Sequence, residues 1–158
     1  MASFDIQNAR KGDATILARL SRRLVEAGLT PAWTEARIER CRSREDSRVL
    51  VARAGAGVIG GAILDFEDSA AHLGLLVIDG VWQRRGMGLQ LITAVEAAAL
   101  AAGLPRIVLE VRSGNTGGRA FYAALGYQEV DVVARYYSPG EDAIRLTIDL
   151  PAARISRS

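Results

Sequence analysis

Short runs in which hydrophobic and polar positions alternate open the chain and fill its middle. Near the start, Phe4 and Ile6 alternate with polar neighbours, and later runs are rich in β-branched residues. Such patterns are typical of strands, which we predict over residues 3–9, 48–53, 58–66 and 73–78. The tight-turn sequence Ala54-Gly55-Ala56-Gly57 joins the second and third runs, so these strands are expected to form a hairpin that the fourth extends into a meander.

Two helices are predicted between the first and second strands. Apolar residues of the first fall at helical spacing, namely Leu17, Leu20 and Leu24. We expect Asp13 to be its N-cap and Gly28 to end it. Thr34 is expected to cap a second, shorter helix that runs to about Arg42.

The hydrophobic period changes after Ile78. The steps of 4, 3 and 4 residues from Leu91 to Ala102 predict the longest helix, which Gly103 and Pro105 end. A strand over residues 106–112 follows, and a strand, a helix and a strand in this order imply a right-handed crossover and a parallel pair. The remaining pattern predicts a short helix over 116–125, a strand through Val132 or Val133, and a strand over 143–150.

The predicted fold is one α/β domain over residues 1–150. Its sheet is mixed but mostly antiparallel, with about seven strands, a parallel pair made by the fourth and fifth strands, and helices on both faces. Residues 151–158 have nothing to bury and are expected to form a frayed tail.

Composition narrows the possible functions of the chain. Of 158 residues, 49% are hydrophobic and 24% are charged, as in globular proteins. A single cysteine, Cys41, and a single histidine, His72, exclude an internal disulfide and a zinc site with several Cys/His ligands. A net charge of +2 does not argue for nucleic acid, and the longest apolar run is far too short for a membrane span. We therefore expect a cytoplasmic protein that binds neither nucleic acid nor membrane.

A glycine-containing loop lies between the fourth strand and the long helix. It reads Gln83-Arg84-Arg85-Gly86-Met87-Gly88. Two glycines let a backbone approach a ligand closely, and a helix N-terminus favours phosphate, but the same pattern also serves as a plain entry turn into a helix. A third glycine is missing at Leu91 and no Gly-Lys-Ser/Thr occurs, which disfavours a dinucleotide fingerprint and a nucleotide P-loop.

A second constellation makes a family resemblance plain. It comprises Leu109-Glu110-Val111-Arg112, Asn115, Phe121-Tyr122 and Leu125-Gly126-Tyr127. With the glycine loop, these pieces resemble the GCN5-related N-acetyltransferase (GNAT) family over about residues 73–130. Members move an acetyl group from acetyl-CoA to a primary amine. Arg135-Tyr136-Tyr137 and Glu141-Asp142-Ala143-Ile144 add a similarity to the bacterial enzymes that acetylate the N-terminal alanine of a ribosomal protein.

The resemblance implies roles for particular residues. Acetyl-CoA would be the donor, and its expected binding residues are Leu76, Val77, Ile78, Arg84, Arg85, Gly86, Met87, Gly88, Leu89 and Asn115. Glu110 is expected to act through water as the general base, and Tyr122 to protonate the departing sulfur. From the residues alone, Glu110 could equally form an ion pair at a sheet edge, Tyr122 could be a core aromatic residue, and Asn115 could cap a turn.

The sequence departs from the family pattern at a few positions. Gly80 replaces a usual proline, Leu89 replaces an often polar residue, and Gly117 and Gly118 weaken the start of the short helix by about 1 kcal/mol each. The Asn115 loop is therefore expected to be mobile until the cofactor binds. His72, Cys41 and Trp82 are expected to be structural, and the acidic residues Asp65, Glu67 and Asp68 to be either solvated charges or a lip that attracts a cationic amine.

Several functions remain open at this point. The leading one is transfer of acetyl to a peptide N-terminus or to a small molecule such as a polyamine, an aminoglycoside or a metabolite. The alternatives are a non-catalytic acyl-CoA-binding module and a basic RNA-associated protein. An α-amine with a pKa near ~8 costs only about 1 kcal/mol to deprotonate at pH 7, whereas a lysine amine costs about 4–5 kcal/mol. We expect a monomer or a homodimer.

Overall fold

The computed structural model describes residues 3–83 and 86–150. Apart from a short 3₁₀ turn at Gly80–Trp82, the elements of this part of the chain are β1 (Asp5–Asn8), α1 (Asp13–Leu24), α2 (Glu35–Ser43), β2 (Ser47–Ala54), β3 (Gly57–Phe66), β4 (Ala71–Ile78), α3 (Met87–Ala101), β5 (Arg106–Arg112), α4 (Thr116–Ala124), β6 (Gln128–Tyr137) and β7 (Glu141–Asp149). The predicted order of strands and helices is confirmed. The predicted tail at 151–158 lies outside the described residues.

One seven-stranded sheet has the order β1-β2-β3-β4-β5-β7-β6. Only β4 and β5 run parallel, because α3 connects them by a crossover; the other neighbouring strands are antiparallel. The predicted mixed sheet with a parallel fourth and fifth strand is therefore confirmed.

Each face of the sheet carries its own hydrophobic core. On one face α3 packs on β3, β4 and β5, with residues such as Leu91, Val95 and Leu109 buried. On the other, α1 and α2 cover β2, β3 and β4 through Leu17, Ile38 and their neighbours. Helices α1 and α2 extend no further than β4, so within the described residues no helix packs extensively on the same face of β5, β7 and β6. Polar side chains of the candidate site lie there.

Three details of the predicted elements were wrong. Gly12, in a left-handed conformation with φ of 96°, is the N-cap of α1, whereas the Asp13 carboxylate forms a buried ion pair with Arg53 on β2. Helix α1 also ends at Leu24, before Gly28. Strand β6 continues to Tyr137, beyond the predicted end at Val132 or Val133, because an irregular stretch is followed by renewed pairing with β7.

None of the helices in the described part of the chain has the length and apolar character needed to cross a bilayer.

Candidate active site

The parallel strands β4 and β5 separate partway along their length. They pair only over Ala71–Leu73 of β4, although β4 continues to Ile78. The Asp79 N–H donates to Ile59 of β3, and peptide groups alternate in direction along a strand, so the N–H groups of Leu76 and Ile78 point toward the gap. The gap therefore exposes the polar edge of β4 in the middle of the sheet, where the Ile78 carbonyl accepts a hydrogen bond of 3.0 Å from the Gln83 side chain.

Helix α3 starts beside this gap with a glycine. Gly86 is its N-cap, with φ of 78°, no side chain caps the first turn, and a Cβ at Gly86 would meet nothing within 4 Å. Met87 is fully buried in the core, while Leu89 is exposed. Among the described residues, the start of this 15-residue helix thus has no side-chain cap and leaves space beside Gly86, which suits a phosphate. The predicted contacts of Arg84 and Arg85 lie outside the described residues.

Gly88 is needed for packing as well as for any ligand. A Cβ there would lie 3.0 Å from the ring of Phe121 on α4 and 3.5 Å from Ile78. The close approach of α4 to the start of α3 therefore depends on this glycine.

Asn115 is the N-cap of α4. Its Oδ1 accepts a hydrogen bond of 2.9 Å from the Gly118 N–H. The sequence left open whether Asn115 caps or holds a ligand, and the structure shows the cap. It also explains Gly118, since a Cβ there would lie 2.5 Å from the Asn115 Nδ2.

Tyr122 of α4 is buried on the face of the sheet that α3 covers. Its ring packs edge-on against Phe121 and Tyr127, with ring centres 5.1 and 5.3 Å away. Within the described residues its hydroxyl has no hydrogen-bonding partner. Burial raises the pKa of Tyr122 well above its ordinary value of 10, and the nearby Tyr137 adds to the rise. The hydroxyl therefore keeps its proton throughout the physiological range.

Glu110 lies on the opposite face of β5, where it has three side-chain partners. Its Oε1 is 2.6 Å from His72 Nε2 and accepts a hydrogen bond of 3.0 Å from the Tyr136 hydroxyl. Its Oε2 accepts one of 2.9 Å from Arg145 Nε. We call His72, Glu110, Tyr136 and Arg145 the polar cluster. The ion pair that the sequence allowed for Glu110 is present, but β5 is an interior strand rather than a sheet edge.

Each member of the polar cluster comes from a different strand. His72 belongs to β4, Arg145 pairs directly with Glu110 across β5 and β7, and Tyr136 belongs to β6. Arg135, with a positive φ of 55°, interrupts the pairing of β6 with β7 and is held by a hydrogen bond from its N–H to Asp142. Such an irregularity re-aims the next side chain, and here it places Tyr136 on Glu110.

Hydrogen bonding decides the charge state of the cluster. The Glu110 side chain is only 5% exposed, and burial by itself would raise its pKa. The hydrogen bonds from His72, Arg145 and Tyr136 outweigh burial and lower that pKa to about 2. The bond to Glu110 in turn raises the pKa of His72 above its ordinary 6.5, against the effect of burial.

The loop between α1 and α2 reaches across to the edge of the cluster. Arg112 of β5 donates to the carbonyls of Val25 and Ala27 and pairs with Glu141. The Thr30 N–H donates to Ser138 in the turn between β6 and β7. Two segments that are far apart in sequence therefore meet beside the polar cluster.

Buried Glu26 fixes the same loop from within. Its carboxylate accepts hydrogen bonds from the Ser21 hydroxyl and from the N–H groups of Ala32 and Trp33. The Trp33 ring then rests against β4, where a Cβ at Gly74 would be 2.7 Å from it.

Sequence reasoning placed Glu110 and Tyr122 but missed the partners of Glu110. His72 was expected to be structural, and Tyr136 and Arg145 received no role. One available signal was the alternation of β7, which puts Arg145 outside the run of buried residues Ile144, Leu146 and Ile148.

These features fit coenzyme A, whose acetyl thioester the family resemblance implies as donor. Beyond Leu73 the edge of β4 does not pair with β5 and offers N–H groups to an extended pantetheine arm, and the open space at Gly86 leaves room for phosphates beside the helix N-terminus. Tyr122 lies on the face of the gap next to α3 and α4, and the polar cluster lies on the other face. A donor and an acceptor could thus meet through the gap from opposite sides.

Comparisons with known sequences agree with this geometry. The model of the acetyltransferase (GNAT) family matches residues 15–127. The chain is 30% identical over 105 residues to an uncharacterized N-acetyltransferase of Methanocaldococcus jannaschii, covering 66% of this chain and 67% of that protein. It is 30% identical to the N-alpha-acetyltransferase MAK3 of Arabidopsis thaliana (53% of this chain, 44% of that protein) and 31% identical to the ribosomal protein bS18 alanine N-acetyltransferase of Salmonella typhimurium (48% and 53%). The last two matches span about half of each relative's own length.

Solved structures share the whole fold. The ribosomal-protein-S18-alanine N-acetyltransferase of Escherichia coli superposes with a TM-score of 0.80 at 24% identity, covering 94% of each chain. A PaiA N-acetyltransferase of Thermoplasma acidophilum, solved in complex with coenzyme A, superposes with a TM-score of 0.74 at 19% identity, over 90% of this chain and 98% of that one. The family model covers most of the chain and the fold agrees; the chain therefore belongs to the acetyltransferase (GNAT) family, whose acetyl donor is acetyl-CoA.

Proposed function

We propose that the protein acetylates the N-terminal α-amine of a peptide or protein with acetyl-CoA as donor. Relatives named as N-alpha-acetyltransferases and as a ribosomal-protein alanine acetyltransferase support this acceptor class. The chemistry supports it as well, because an α-amine loses its proton far more readily near neutral pH than a lysine amine does.

The pairing of carboxylates with cations on the acceptor face carries the proposal. Glu110 and Asp131 share Arg145, and Glu141 pairs with Arg112. Glu110 also contacts His72, whose pKa Asp65 and Glu67 raise further, so three of these five carboxylates have a paired cation. Arg37, stacked 3.8 Å above the Trp33 ring, adds a cation that influences Tyr136. A polyamine or an aminoglycoside carries several positive charges and would need an acidic surface, whereas a peptide N-terminus carries one.

Each predicted site residue keeps a proposed role. Leu76, Val77 and Ile78 would bind the pantetheine arm through their peptide groups, and the loop and helix start from Arg84 to Leu89 would bind the phosphates. Asn115 would position the start of α4 beside the cofactor. Glu110 would take part in removing the amine proton, and Tyr122 would donate a proton to the departing sulfur. The cytoplasmic location and the monomeric or homodimeric state likewise stay predictions.

A thiol-release assay with matched acceptors tests the acceptor class. One peptide has a free N-terminal alanine and an internal lysine, its twin has the same sequence with a blocked N-terminus, and spermidine and an aminoglycoside complete the set. We expect acetyl-CoA turnover with the free peptide only. Turnover with the blocked twin would mean lysine acetylation, and turnover with the polycations would mean a small-molecule enzyme.

The non-catalytic alternative predicts a different outcome of the same assay. A cofactor-sensing module would bind acetyl-CoA in calorimetry without releasing thiol with any acceptor. Mass spectrometry of the free peptide, with fragmentation to locate the acetyl group, would confirm the modified nitrogen directly.

A further inference from the structure

We propose that His72 is the residue that accepts the proton of the acceptor amine, and that Glu110 is the positioning residue that holds its ring. The inference rests on the proposed N-acetyltransferase function and deepens it by assigning the proton acceptor.

The two nitrogens of the His72 ring are in different situations. Nε2 is 2.6 Å from Glu110 Oε1, and a carboxylate at this distance holds Nε2 in its protonated form. In the neutral ring Nδ1 is then the basic nitrogen, and among the described residues it has no hydrogen-bonding partner. The same logic orients the histidine of a Ser-His-Asp triad, with the carboxylate on one nitrogen and the reaction at the other.

Accessibility favours His72 over Glu110 as the group that meets the amine. The His72 side chain is 24% exposed, whereas that of Glu110 is 5% exposed and is enclosed by three donors. Three of the acceptor positions of the carboxylate are therefore occupied, whereas the imidazole Nδ1 has no partner among the described residues.

The charges around His72 suit the transfer. Glu110 stabilises the imidazolium most, and the acidic Asp65 and Glu67 of the strand and turn before β4 add to its effect. Arg145 and the Tyr136 hydroxyl face Glu110 and keep the carboxylate ionised. The pKa of His72 is raised toward that of an α-amine, whereas a carboxyl with a pKa of about 2 is a very weak base, so the imidazole is the better-matched acceptor.

The proton balance of the reaction is complete with these residues. The acceptor enters as R–NH₃⁺ and gives one proton to His72 Nδ1. Its nitrogen lone pair then forms the new C–N bond, the C–S bond breaks, and the sulfur takes a proton from Tyr122. The nitrogen of the new amide then loses its surplus proton to solvent, and solvent returns a proton to the Tyr122 oxygen. His72 releases the proton that it accepted to bulk water. The ammonium thus loses two protons, of which one ends on the thiol and one in solvent.

The first experiment observes His72 without any turnover. Because it is the only histidine of the chain, its ring nitrogens can be titrated by ¹⁵N NMR without assignment. We expect a pKa above 6.5, an Nε2–H tautomer in the neutral state, and a lower pKa in Glu110→Gln. A neutral state protonated on Nδ1, or a pKa unchanged by Glu110→Gln, would overturn the proposed positioning.

The second experiment measures kcat/KM against pH for the wild type and for His72→Gln, whose amide keeps a donor for Glu110 but does not titrate. We expect a loss of about 10²–10⁴-fold with a free N-terminal peptide. The variant should also lose the limb of the pH profile that matches the NMR pKa. With an aminooxy-peptide, whose nucleophile is already neutral, the loss should nearly disappear.

The controls separate the two proposals. Arg106 lies on β5, as Glu110 does, and forms an exposed ion pair with Asp149. Arg106→Gln removes this ion pair and should behave as the wild type. If His72→Gln acetylates the peptide at the wild-type rate, the assignment of His72 is wrong while the proposed function stands. If the wild type acetylates no N-terminal peptide, the proposed function fails, and the NMR titration still decides whether Glu110 positions His72.

Discussion

At the scale of single residues, Tyr122 and the polar cluster belong to different sides of the sheet. Tyr122 belongs to the core that α3 covers, retains its proton, and has no hydrogen-bonding partner among the described side chains. We expect Tyr122→Phe to keep the affinity for acetyl-CoA, because ring packing against Phe121 and Tyr127 is preserved. Turnover should fall by about 10²–10⁴-fold, measured by thiol release under saturating substrates.

The pH dependence of the rate defect distinguishes the role of Tyr122 from that of the polar cluster. A defect in removing the amine proton shrinks as pH rises, since more of the amine is already neutral, but the sulfur needs its proton at every pH. The Tyr122→Phe defect should therefore stay constant from pH 6 to 9. Near-normal rates of Tyr122→Phe over this range would mean that Tyr122 has only a structural role in the core.

At the scale of elements, the start of α3 offers a clean test of phosphate binding. Gly88 is a poor probe, since any side chain there meets Phe121 first. Gly86→Asn suits the test, because asparagine tolerates positive φ and the space around Gly86 is open. If phosphates occupy that space, affinity for coenzyme A in calorimetry should fall at least about tenfold, the equivalent of roughly 1.4 kcal/mol.

The other end of α3 provides the matched control for that variant. Gly103 has φ of 81° and equally open surroundings. Gly103→Asn should share any strain of the backbone while leaving affinity for coenzyme A unchanged. Equal affinity for coenzyme A in both variants and the wild type would contradict a phosphate site at the start of α3.

Helix α4 begins with two glycines that the structure distinguishes. A Cβ at Gly117 would lie 4.0 Å from Asn115 Oδ1, whereas one at Gly118 would displace the capping side chain. Gly117→Ala should therefore raise the free energy of unfolding by up to about 1 kcal/mol. Gly118→Ala should show little or no gain, because the lost cap offsets the better helix propensity. Urea unfolding of both variants checks this difference, and equal gains would contradict the steric role of Gly118.

At the scale of the whole molecule, sequence patterns predict the fold more completely than they predict the candidate site. Periodicity and glycine punctuation are local, so the order of the elements and the parallel β4 and β5 pair could be predicted. The partners of Glu110 could not, because His72, Tyr136 and Arg145 are 38, 26 and 35 positions away. They meet only through the sheet order β4-β5-β7-β6 and the irregular backbone at Arg135. The cap of α1 was missed for a similar reason, since Asp13 pairs with Arg53, 40 positions away.

The polar cluster joins four strands, so its charge should be visible in global stability. The pKa of Glu110 is lowered from 4.5 to about 2, which corresponds by linkage to about 3 kcal/mol. This stabilisation is present above pH 4.5 and is lost as pH falls toward 2. His72 has a raised pKa, so its contribution is present below 6.5 and is lost as pH rises through the folded value.

We therefore expect the difference in unfolding free energy between the wild type and Glu110→Gln to be largest between about pH 4.5 and 6.5. It should close toward pH 2, where a protonated glutamic acid resembles glutamine, and narrow partly at high pH, where Arg145 still holds the carboxylate but His72 is neutral. Urea unfolding across this range measures the difference. Glu129→Gln is the control, because the Glu129 pair with Arg119 lies on the surface and should contribute little at any pH. A difference for Glu110→Gln that does not change with pH would mean that the variant loses packing rather than the charge interactions of the cluster.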